Sequence, residues 1–539
     1  LFDSFGAPSV YSGRSYFLLY WVAISMSKTI IIIGAGLAGL SAALQAAENG
    51  CNVKLVSSLP SERAQSVMAE GGINAALNTK DENDSPEEHF TDTIKAACGL
   101  ADPNAVWGMT QAAPELVHWL LKLGVKFNMS GYDDVDLRNF GGQKKKRTAF
   151  AQSDTGKQIM TAMIDAVRRK EASGMVERFS HHSFLTLRLC GNICCGCVIR
   201  DEYSQETVEL PGDAVIVATG GMHGLFGNTT GSLSNTGEVT AELFRLGVPL
   251  ANGEMIQYHP TTVKCGGKRM LISEAARGEG GRLFAMKDGK QWYFMEEKYP
   301  ELGNLMPRDI TAREIWKVSH ESEVFLDMTE ISDEIISNKL SGLADDCMTY
   351  LHKDIRKEPV SVLPGIHYFM GGILVDEQHR TPIQNLCAAG ECCAQYHGAN
   401  RLGGNSLLGA LYGGRVAAKS ACEQADVVDL SCATQIDFPP ASQISEIKQL
   451  NKVMQETMGV VRNENTLLNG IKTVQALTGN LPLLGMAVLK SALARKESRG
   501  AHWREDYPKS NDDDYLKTTV ARFDGKQIQI SFVPVPERR

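Results

Sequence analysis

The chain has 539 residues, of which 43% are hydrophobic and 22% are charged, and its formal net charge is −8. This length exceeds that of one compact domain, and the composition is that of a globular protein with a buried core. The negative charge argues against nucleic acid as a partner, because binding to phosphates requires a cationic surface.

Residues 1–25 differ from the sequence that follows them. The apolar run from Tyr16 to Ile24 is shorter than the ~20 residues that span a bilayer. It resembles a signal peptide only loosely, because Met26 leads directly into a core strand. We interpret Met26 as the natural start, residues 1–25 as an upstream extension outside the fold, and the protein as cytoplasmic.

The beginning of a parallel sheet follows. Thr29–Ile33 is a short β-branched run, and it is followed by a glycine turn, a helix from Leu40 to Asn49 and a second strand, Asn52–Val56. Further buried strands are predicted at Asp213–Gly221 and Asn385–Glu391. The sheet is therefore expected to be assembled from distant parts of the chain, with an insertion between them.

The turn carries the motif G-x-G-x-x-G, formed by Gly34, Gly36 and Gly39 with Ala35 between the first two. The first glycine permits a tight turn, the second lets the backbone approach a pyrophosphate, and the third permits close packing of the helix. Placed between a strand and a helix, this motif predicts dinucleotide binding, whereas a glycine-rich turn without a ligand is the less favoured interpretation.

The second strand is followed by Ser57 and Ser58 instead of the acidic residue that usually binds the ribose of NAD. A second glycine-rich patch, Gly71-Gly72, and the strand ends "ATGG" and "AAGE" indicate a larger, extended cofactor. These features favour FAD over NAD.

Four clustered cysteines are a candidate metal site: Cys190, Cys194, Cys195 and Cys197. They lie on either side of a turn at Gly191-Asn192, and the residues after the turn are predicted to form a strand. Adjacent residues of a strand face opposite sides, so Cys194 and Cys195 would not easily bind the same ion. Buried cysteines in a reducing compartment are the favoured interpretation. From about residue 426 to 500 the apolar spacing predicts helices, and "QIQISFVPV" near the end predicts a strand.

The sequence resembles the flavoprotein subunits of fumarate reductase and succinate dehydrogenase, a family that also contains L-aspartate oxidase. The motifs that carry the resemblance are "AEGGINAALNTKDENDSPEEHF", "NFGGQKKKRTAFA", "QYHPT", "SEAARGEGG", "MPRD", "HYFMGG", "HGANRLGGNSLLGALYGG" and "SRGAHWREDYP". It implies an α/β fold in which a Rossmann-like FAD-binding domain (26–250 and 369–425) is interrupted by an α+β capping domain (251–368). A helical domain (426–505) and a C-terminal tail (506–539) follow.

The resemblance also implies a dicarboxylate site. Residues matching Arg401 and His367 hold one carboxylate in this family, and those matching His259 and Ser273 hold the other. An arginine suits this role because its planar guanidinium pairs with a carboxylate through two hydrogen bonds. Either histidine alone would more readily be a satisfied core residue. Phe140 and Gly72 are further expected substrate contacts.

Arg308 matches the family's proton donor, and the implied proton relay runs through Glu274 and Arg277. In the implied reaction reduced flavin gives hydride to one olefinic carbon of fumarate and Arg308 protonates the other. The alternative is that Arg308 is only an ion-pair partner of Asp309 or Glu274. The residues expected to contact FAD are Gly34, Ala35, Gly36, Gly39, Ser57, Gln65, Ser66, Gly71, Gly72, Ala218, Gly220, Glu391, Ser406 and Leu407.

Gln65 departs from the family pattern. Many members attach FAD covalently to a histidine seven residues before the second glycine of the "GG" motif, and here that position is Gln65. Since a glutamine has no ring nitrogen to bond the flavin, FAD is expected to be bound non-covalently, which favours fumarate reduction over succinate oxidation.

Aspartate oxidase remains an alternative because its FAD is also non-covalent, but Phe140 disfavours it. Aspartate oxidases tend to carry a glutamate there, which pairs with the substrate's ammonium group, and a phenyl ring leaves that cation unpaired. Another unsaturated acid as substrate, and a flavin-binding assembly protein without catalysis, are further alternatives. The expected partners are fumarate or succinate and an iron–sulfur subunit, with a membrane-anchor subunit that would place the protein at the inner face of the membrane.

Overall fold

The computed structural model describes residues 27–131, 134–424, 438 and 443–539. The expected start at Met26, the segment before it and most of residues 426–442 therefore lie outside the described residues. In chain order the strands are β1 (Thr29–Ile33), β2 (Asn52–Ser57), β3 (Ile73–Asn74), β4 (Leu137–Arg138), β5 (Thr148–Ala149), β6 (Val176–Ser180), β7 (His182–Cys190), β8 (Ile193–Asp201), β9 (Thr207–Pro211), β10 (Ala214–Val217), β11 (Leu250–Ala251), β12 (Ile256–Cys265), β13 (Lys268–Leu271), β14 (Arg282–Lys287), β15 (Lys290–Trp292), β16 (Val324–Asp327), β17 (Val360–Ser361), β18 (Leu363–Phe369), β19 (Gly372–Leu374), β20 (Leu386–Ala388), β21 (Cys393–Ala394), β22 (Lys517–Phe523) and β23 (Ile528–Pro534).

The helices are α1 (Leu37–Glu48), α2 (Pro86–Ala96), α3 (Pro103–Lys122), α4 (Thr155–Ala172), α5 (Glu238–Arg245), α6 (Glu274–Gly278), α7 (Phe294–Lys298), α8 (Arg308–Val318), α9 (Asp333–Lys339), α10 (Ser341–Asp346), α11 (Asn405–Gln424), α12 (Ile444–Thr457), α13 (Glu464–Val474), α14 (Asn480–Ala494) and α15 (Asp512–Tyr515).

A parallel five-stranded sheet organises the fold, with strand order β20-β10-β1-β2-β6. Ile30 and Ile32 of β1 face one core and Ile31 and Ile33 face another, so both faces of the sheet are covered. This explains why the strand is continuously apolar, as is typical of parallel sheets. The expected α/β architecture, assembled from distant stretches, is confirmed.

The differences from the predicted elements lie at their ends. The first helix begins at Leu37, directly after the glycine turn, and not at Leu40. The strands predicted at Asp213–Gly221 and Asn385–Glu391 are shorter, Ala214–Val217 and Leu386–Ala388, because the residues that follow each strand form loops at the sheet's carboxyl edge. The edge strand β6 was not predicted.

Between β11 and β19 the chain forms two smaller antiparallel sheets, β13-β12-β18 and β15-β14-β16-β17. β12 and β18 pair in antiparallel fashion, and their register shifts on either side of Tyr258 and His259. Pro260 lies in the second irregular stretch, where its missing N–H would interrupt a regular ladder. As a result, His259 and His367 lie on neighbouring strands.

The C-terminal part of the chain adds two strands to the sheet that contains β11. The hairpin β22–β23 extends that sheet, whose order is β21-β19-β11-β22-β23, and β22 pairs with β11. The strand expected at "QIQISFVPV" is therefore present as β23. Helices α12, α13 and α14 pack beside this sheet around a shared apolar core.

The cysteine-rich hairpin forms as expected, with β7 and β8 joined by Gly191-Asn192. Cys194, Cys195 and Cys197 are buried, whereas Cys190 is only partly buried. Within the described ranges, no cluster of His, Cys, Asp and Glu has the arrangement of a metal site. In the same ranges, no helix combines the length and the apolar character required to cross a membrane.

Candidate active site

The glycine turn after β1 has the geometry that each of its glycines requires. Gly34 has φ of 111°, and a Cβ there would lie 2.3 Å from the Ala218 carbonyl oxygen. A Cβ at Gly39 would lie 1.8 Å from the Gly34 carbonyl oxygen, so α1 packs as close as glycine permits. At Gly36, in contrast, the nearest neighbour of an added Cβ would be 3.7 Å away, which leaves this position open to a ligand.

One cavity of about 540 Å³ extends from this turn to the capping sheets. Nearly all predicted site residues line it: Gly34, Ala35, Gly36, Ser57, Gln65, Ser66, Gly71, Gly72, Phe140, Ala218, Gly220, His259, Ser273, Glu274, Arg308, His367, Glu391, Arg401, Ser406 and Leu407. Gly39 and Arg277 do not line it, since Gly39 is buried against the Gly34 carbonyl and Arg277 lies behind Glu274. The structure thus brings together residues that are up to 373 positions apart in sequence.

The dinucleotide end of the cavity fits FAD. Ser57 is buried and its hydroxyl has no hydrogen-bond partner, as expected of a group that binds a ribose hydroxyl. The N-terminus of α1 points its N–H groups and its positive dipole end toward the open space at Gly36, which suits a pyrophosphate. Glu391 borders the same cavity and accepts a hydrogen bond from the Phe369 N–H at 3.0 Å.

The other end of the cavity contains a buried cluster of charges. Arg308 donates two hydrogen bonds to Glu274, at 2.8 Å from Nε and 2.5 Å from Nη2. Arg277, three residues after Glu274 in α6, donates to the other oxygen at 3.3 Å. Glu274 and Arg308 are the first residues of α6 and α8, so two helix starts position this pair. Burial favours the neutral form of Glu274, but Arg308 and Arg277 outweigh it and lower the pKa of this carboxyl.

Sequence reasoning missed Gln257, which connects the two arginines. Its carbonyl oxygen accepts a hydrogen bond from Arg308 Nη1 at 3.0 Å, and its amide nitrogen donates to the Arg401 main-chain oxygen at 2.9 Å. Gln257 is fully buried and lies two residues before His259 in β12. The signal that could have identified it is a glutamine between Ile256 and Tyr258 at the start of a strand, because a buried amide needs partners.

The two histidines lie close together across β12 and β18. Their ring centroids are 5.2 Å apart, and the Nδ1 atoms contact the Thr261 carbonyl oxygen at 3.1 Å and the Thr230 hydroxyl at 2.8 Å, respectively. Burial, followed by the charge of Arg308, holds the pKa of both His259 and His367 well below 6.5. Burial and the nearby arginine therefore disfavour the charged form of both rings.

Arg401 is a buried cation whose hydrogen-bonding capacity is not fully used. Its side chain is 3% exposed, its Nε has no hydrogen-bond partner, and its guanidinium lies over the Tyr368 ring at 4.3 Å. Burial and then the charge of Arg308 lower the pKa of Arg401 to about 9. Such a group favours the binding of an anion, because a carboxylate would compensate its desolvation.

Phe140 lines the cavity and packs against Gly71 and Gly403. A Cβ at Gly71 would lie 3.0 Å from the phenyl Cζ, and one at Gly403 would lie 3.0 Å from the phenyl Cβ and Cδ2. Gly72 has φ of 135° and lies against the Ala149 carbonyl, which only a glycine accommodates. Ser273 caps α6 through a hydrogen bond from the Ala275 N–H at 3.4 Å.

Glu70 and Arg138 were also missed from the sequence. Glu70 lines the cavity, and burial raises its pKa to about 8. Arg138 donates to the Glu70 carbonyl oxygen at 3.3 Å and stacks over the Phe150 ring at 4.1 Å. Burial lowers the pKa of Arg138 to about 10. A buried carboxyl beside the glycine pair adds a titratable group to the cavity.

The glycine turn, the parallel sheet and the extended cavity define a dinucleotide-binding flavoprotein with a second, cationic site. Comparison with protein families agrees: an FAD binding domain matches residues 29–407, and a fumarate reductase flavoprotein C-terminal region matches residues 477–538. The chain therefore belongs to the family of succinate dehydrogenase and fumarate reductase flavoprotein subunits. The expected resemblance and the expected FAD are confirmed at this level.

Individual relatives match over nearly the whole chain. The succinate dehydrogenase flavoprotein subunit of Bacillus subtilis is 38% identical, with 95% of this chain and 98% of the relative covered. The 8-methylmenaquinol:fumarate reductase flavoprotein subunit of Wolinella succinogenes is 32% identical over 95% and 92% of the two chains. The solved structure of a variant of E. coli quinol fumarate reductase FrdA has a TM-score of 0.86 at 27% identity, with 95% and 97% covered. Like these relatives, the protein is an FAD-dependent oxidoreductase that acts on CH–CH groups.

Proposed function

We propose that this protein is the catalytic flavoprotein of a fumarate reductase, which interconverts fumarate and succinate and favours fumarate reduction. The observation that carries the proposal is the placement of Arg308, Arg401, His259 and His367 around one end of a cavity whose other end carries the glycine turn. A dianion with two carboxylates matches these separated donors. FAD bound at the glycine turn would supply or accept the hydride.

In this proposal the chain's own residues bind and protonate the substrate. Arg401 and His367 hold one carboxylate, and His259 and Ser273 hold the other, so that the double bond lies beside Arg308. Arg308 gives a proton to the substrate carbon, and Glu274, which it contacts at 2.5 Å, stabilises the guanidinium and passes a proton back from Arg277. The buried setting excludes water and strengthens each of these interactions.

Phe140 supports a substrate without an amino group. Its ring is 2% exposed and its backbone neighbour Gly141 donates its N–H to Glu274 at 3.2 Å. An ammonium group beside this ring would lose its water without gaining a carboxylate partner. Fumarate is therefore favoured over aspartate.

Gln65 supports non-covalent FAD. It begins a short 3-10 helix, Gln65–Met68, and lines the cavity between the glycine turn and Gly72. A glutamine amide is not a nucleophile that could bond the flavin ring. The expected result of acid precipitation is yellow flavin in the supernatant and protein without fluorescence; fluorescence that stays with the precipitate would contradict this proposal.

The proposed electron donor is an iron–sulfur subunit, in keeping with the relatives, which are named flavoprotein subunits. A membrane-anchor subunit in the same complex would hold the protein at the inner face of the membrane, and the chain itself would be cytoplasmic.

The test is turnover of the purified holoprotein with a panel of acids. Reduced viologen with fumarate should give rapid oxidation of the viologen, whereas aspartate with an electron acceptor should give none. Arg308→Lys should retain FAD and lose turnover by ~10²–10⁴-fold, because general-acid catalysis contributes this much. Arg313→Lys, on the same helix but stacked on Trp503 at 4.0 Å, is the matched control and should stay fully active. Full activity of Arg308→Lys would remove Arg308 from the proposed role.

A further inference from the structure

Two thiols that play no part in the proposed reaction lie in contact. The Sγ atoms of Cys51 and Cys422 are 3.0 Å apart, although the residues are separated by 371 positions in sequence. Cys51 immediately precedes β2 and Cys422 lies in the last turn of α11. Since a disulfide bond is about 2.05 Å long, a movement of ~1 Å is enough to form one.

The surrounding structure already holds the two segments together. α1 and α11 are closely packed: a Cβ at Gly414 would lie 2.3 Å from the Ala38 carbonyl oxygen, and the Ser41 hydroxyl donates to the Leu411 carbonyl at 2.6 Å. Lys28 donates from Nζ to the Cys422 carbonyl oxygen at 2.7 Å. A disulfide would therefore form with little rearrangement of either helix.

The chemical setting favours reaction of this pair. The hydrogen bond between the two thiols lowers the pKa of Cys51 to about 7 against the effect of burial, and the charge of Lys28 acts in the same direction. The thiolate is the reactive form of cysteine, and a substantial fraction is present at neutral pH. Cys51 is 5% exposed but Cys422 is only partly buried, so a small oxidant can reach the pair from the Cys422 side.

We propose that Cys51 and Cys422 form a reversible disulfide when the protein meets a peroxide. The thiolate of one cysteine attacks a peroxide oxygen, the O–O bond breaks, the cysteine becomes a sulfenic acid, and the other peroxide oxygen leaves as water or an alcohol. The other thiol then attacks the sulfenic sulfur, the S–O bond breaks, and water leaves. Two thiols are oxidised and one peroxide is reduced, and a dithiol reductant reverses the change.

The disulfide would cross-link two parts of the chain that both line the FAD-binding end of the cavity. β2, which follows Cys51, ends at Ser57, and α11, which ends near Cys422, begins beside Ser406 and Leu407. Cross-linking the far ends of these elements restricts their separation. We therefore expect the oxidised protein to release FAD more slowly and to unfold at a higher temperature.

Peptide mapping of the peroxide-treated holoprotein tests the proposal. Trypsin should yield residues 29–54 linked to residues 420–448, and the link should disappear with a thiol reductant. The second peptide also contains Cys432, so three variants are compared: Cys51→Ser and Cys422→Ser should lose the link, and Cys432→Ser should keep it. A link that persists in Cys422→Ser would overturn the assignment.

Cys98 provides an internal reference. It is also partly buried, but burial raises its pKa to about 12, so it should be oxidised later than the pair. Oxidation of Cys98 with no link between the two peptides would refute the proposal. The rate of FAD release, followed by flavin fluorescence, should fall on oxidation of the wild type and stay unchanged in Cys51→Ser. Equal rates before and after oxidation of the wild type would refute the proposed effect of the disulfide on FAD release.

Discussion

Replacing Arg401 by methionine is expected to have opposite effects on the empty protein and on ligand binding. Arg401 is buried, lacks a partner for its Nε and lies near a second cation, Arg308. The substrate-free protein therefore carries a desolvated charge that is poorly compensated. Methionine has a similar length and no charge, so Arg401→Met should relieve this cost and abolish the attraction for a carboxylate.

The magnitude follows from the pKa of Arg401, which is held at about 9 in place of 12.5. A difference of this size disfavours the charged form in the fold by ~4–5 kcal/mol. Because the pKa is lowered by folding, the penalty is fully present below about pH 9 and disappears as the pH rises toward 12.5. Loss of the stacking on Tyr368 offsets ~1–2 kcal/mol of the gain. The substrate-free variant should thus be more stable by ~2–4 kcal/mol.

The assay is denaturant unfolding of the oxidised holoprotein with and without fumarate, which the oxidised flavin does not reduce. Wild type should be stabilised by fumarate, whereas Arg401→Met should show a higher midpoint without fumarate and no shift with it. Arg415→Met is the control, since Arg415 also stacks on a ring, Trp119 at 4.8 Å, but is partly exposed. A variant of Arg401 that is destabilised yet still responds to fumarate would refute the reasoning.

Three further changes test other parts of the structure. Arg495→Met should lower the free energy of unfolding by ~3–5 kcal/mol, measured in urea, because it leaves Glu254 as a buried charge without its arginine partner, whereas Glu497 keeps its ion pair with Arg499. Gly39→Ala should abolish FAD binding, measured by flavin absorbance after gel filtration, since its Cβ would lie 1.8 Å from a carbonyl oxygen. Burial raises the pKa of Glu70 to about 8, and its carboxylate would repel a dianionic substrate, so kcat/KM should fall as the pH rises through this value; Glu70→Gln should remove the fall, and a fall that persists would assign it to another group.

The parts of the fold that could be predicted are those that local sequence dictates. The β1–α1–β2 unit was predictable because an apolar run, a spaced set of glycines and a second apolar run each have a single structural interpretation. The boundaries were less accurate: α1 begins three residues earlier than expected, since the glycine turn leads directly into the helix. β6 was missed because only one of its residues, Val176, is fully buried.

The family resemblance led to residues that line one cavity, but it did not indicate side chains that act through distant partners, even those inside the same motifs. Gln257 connects Arg308 with the main chain of Arg401, and nothing near it in sequence indicates either contact. Glu70 acquires its raised pKa from burial, a property of the assembled cavity. The contact between Cys51 and Cys422 depends on the packing of two helices, which no local pattern encodes.

The pairing of β11 with β22 has a consequence for biosynthesis. Ala251 pairs with Val520, so the middle strand of this sheet emerges from the ribosome long before its neighbour is translated. At ~5–20 residues per second, this interval lasts tens of seconds. During that time Leu250 and Ala251 lack one neighbouring strand, and a nascent chain is exposed to mispairing and to chaperones. Deleting the hairpin Lys517–Pro534 would make this transient state permanent, and such a chain should accumulate in aggregates.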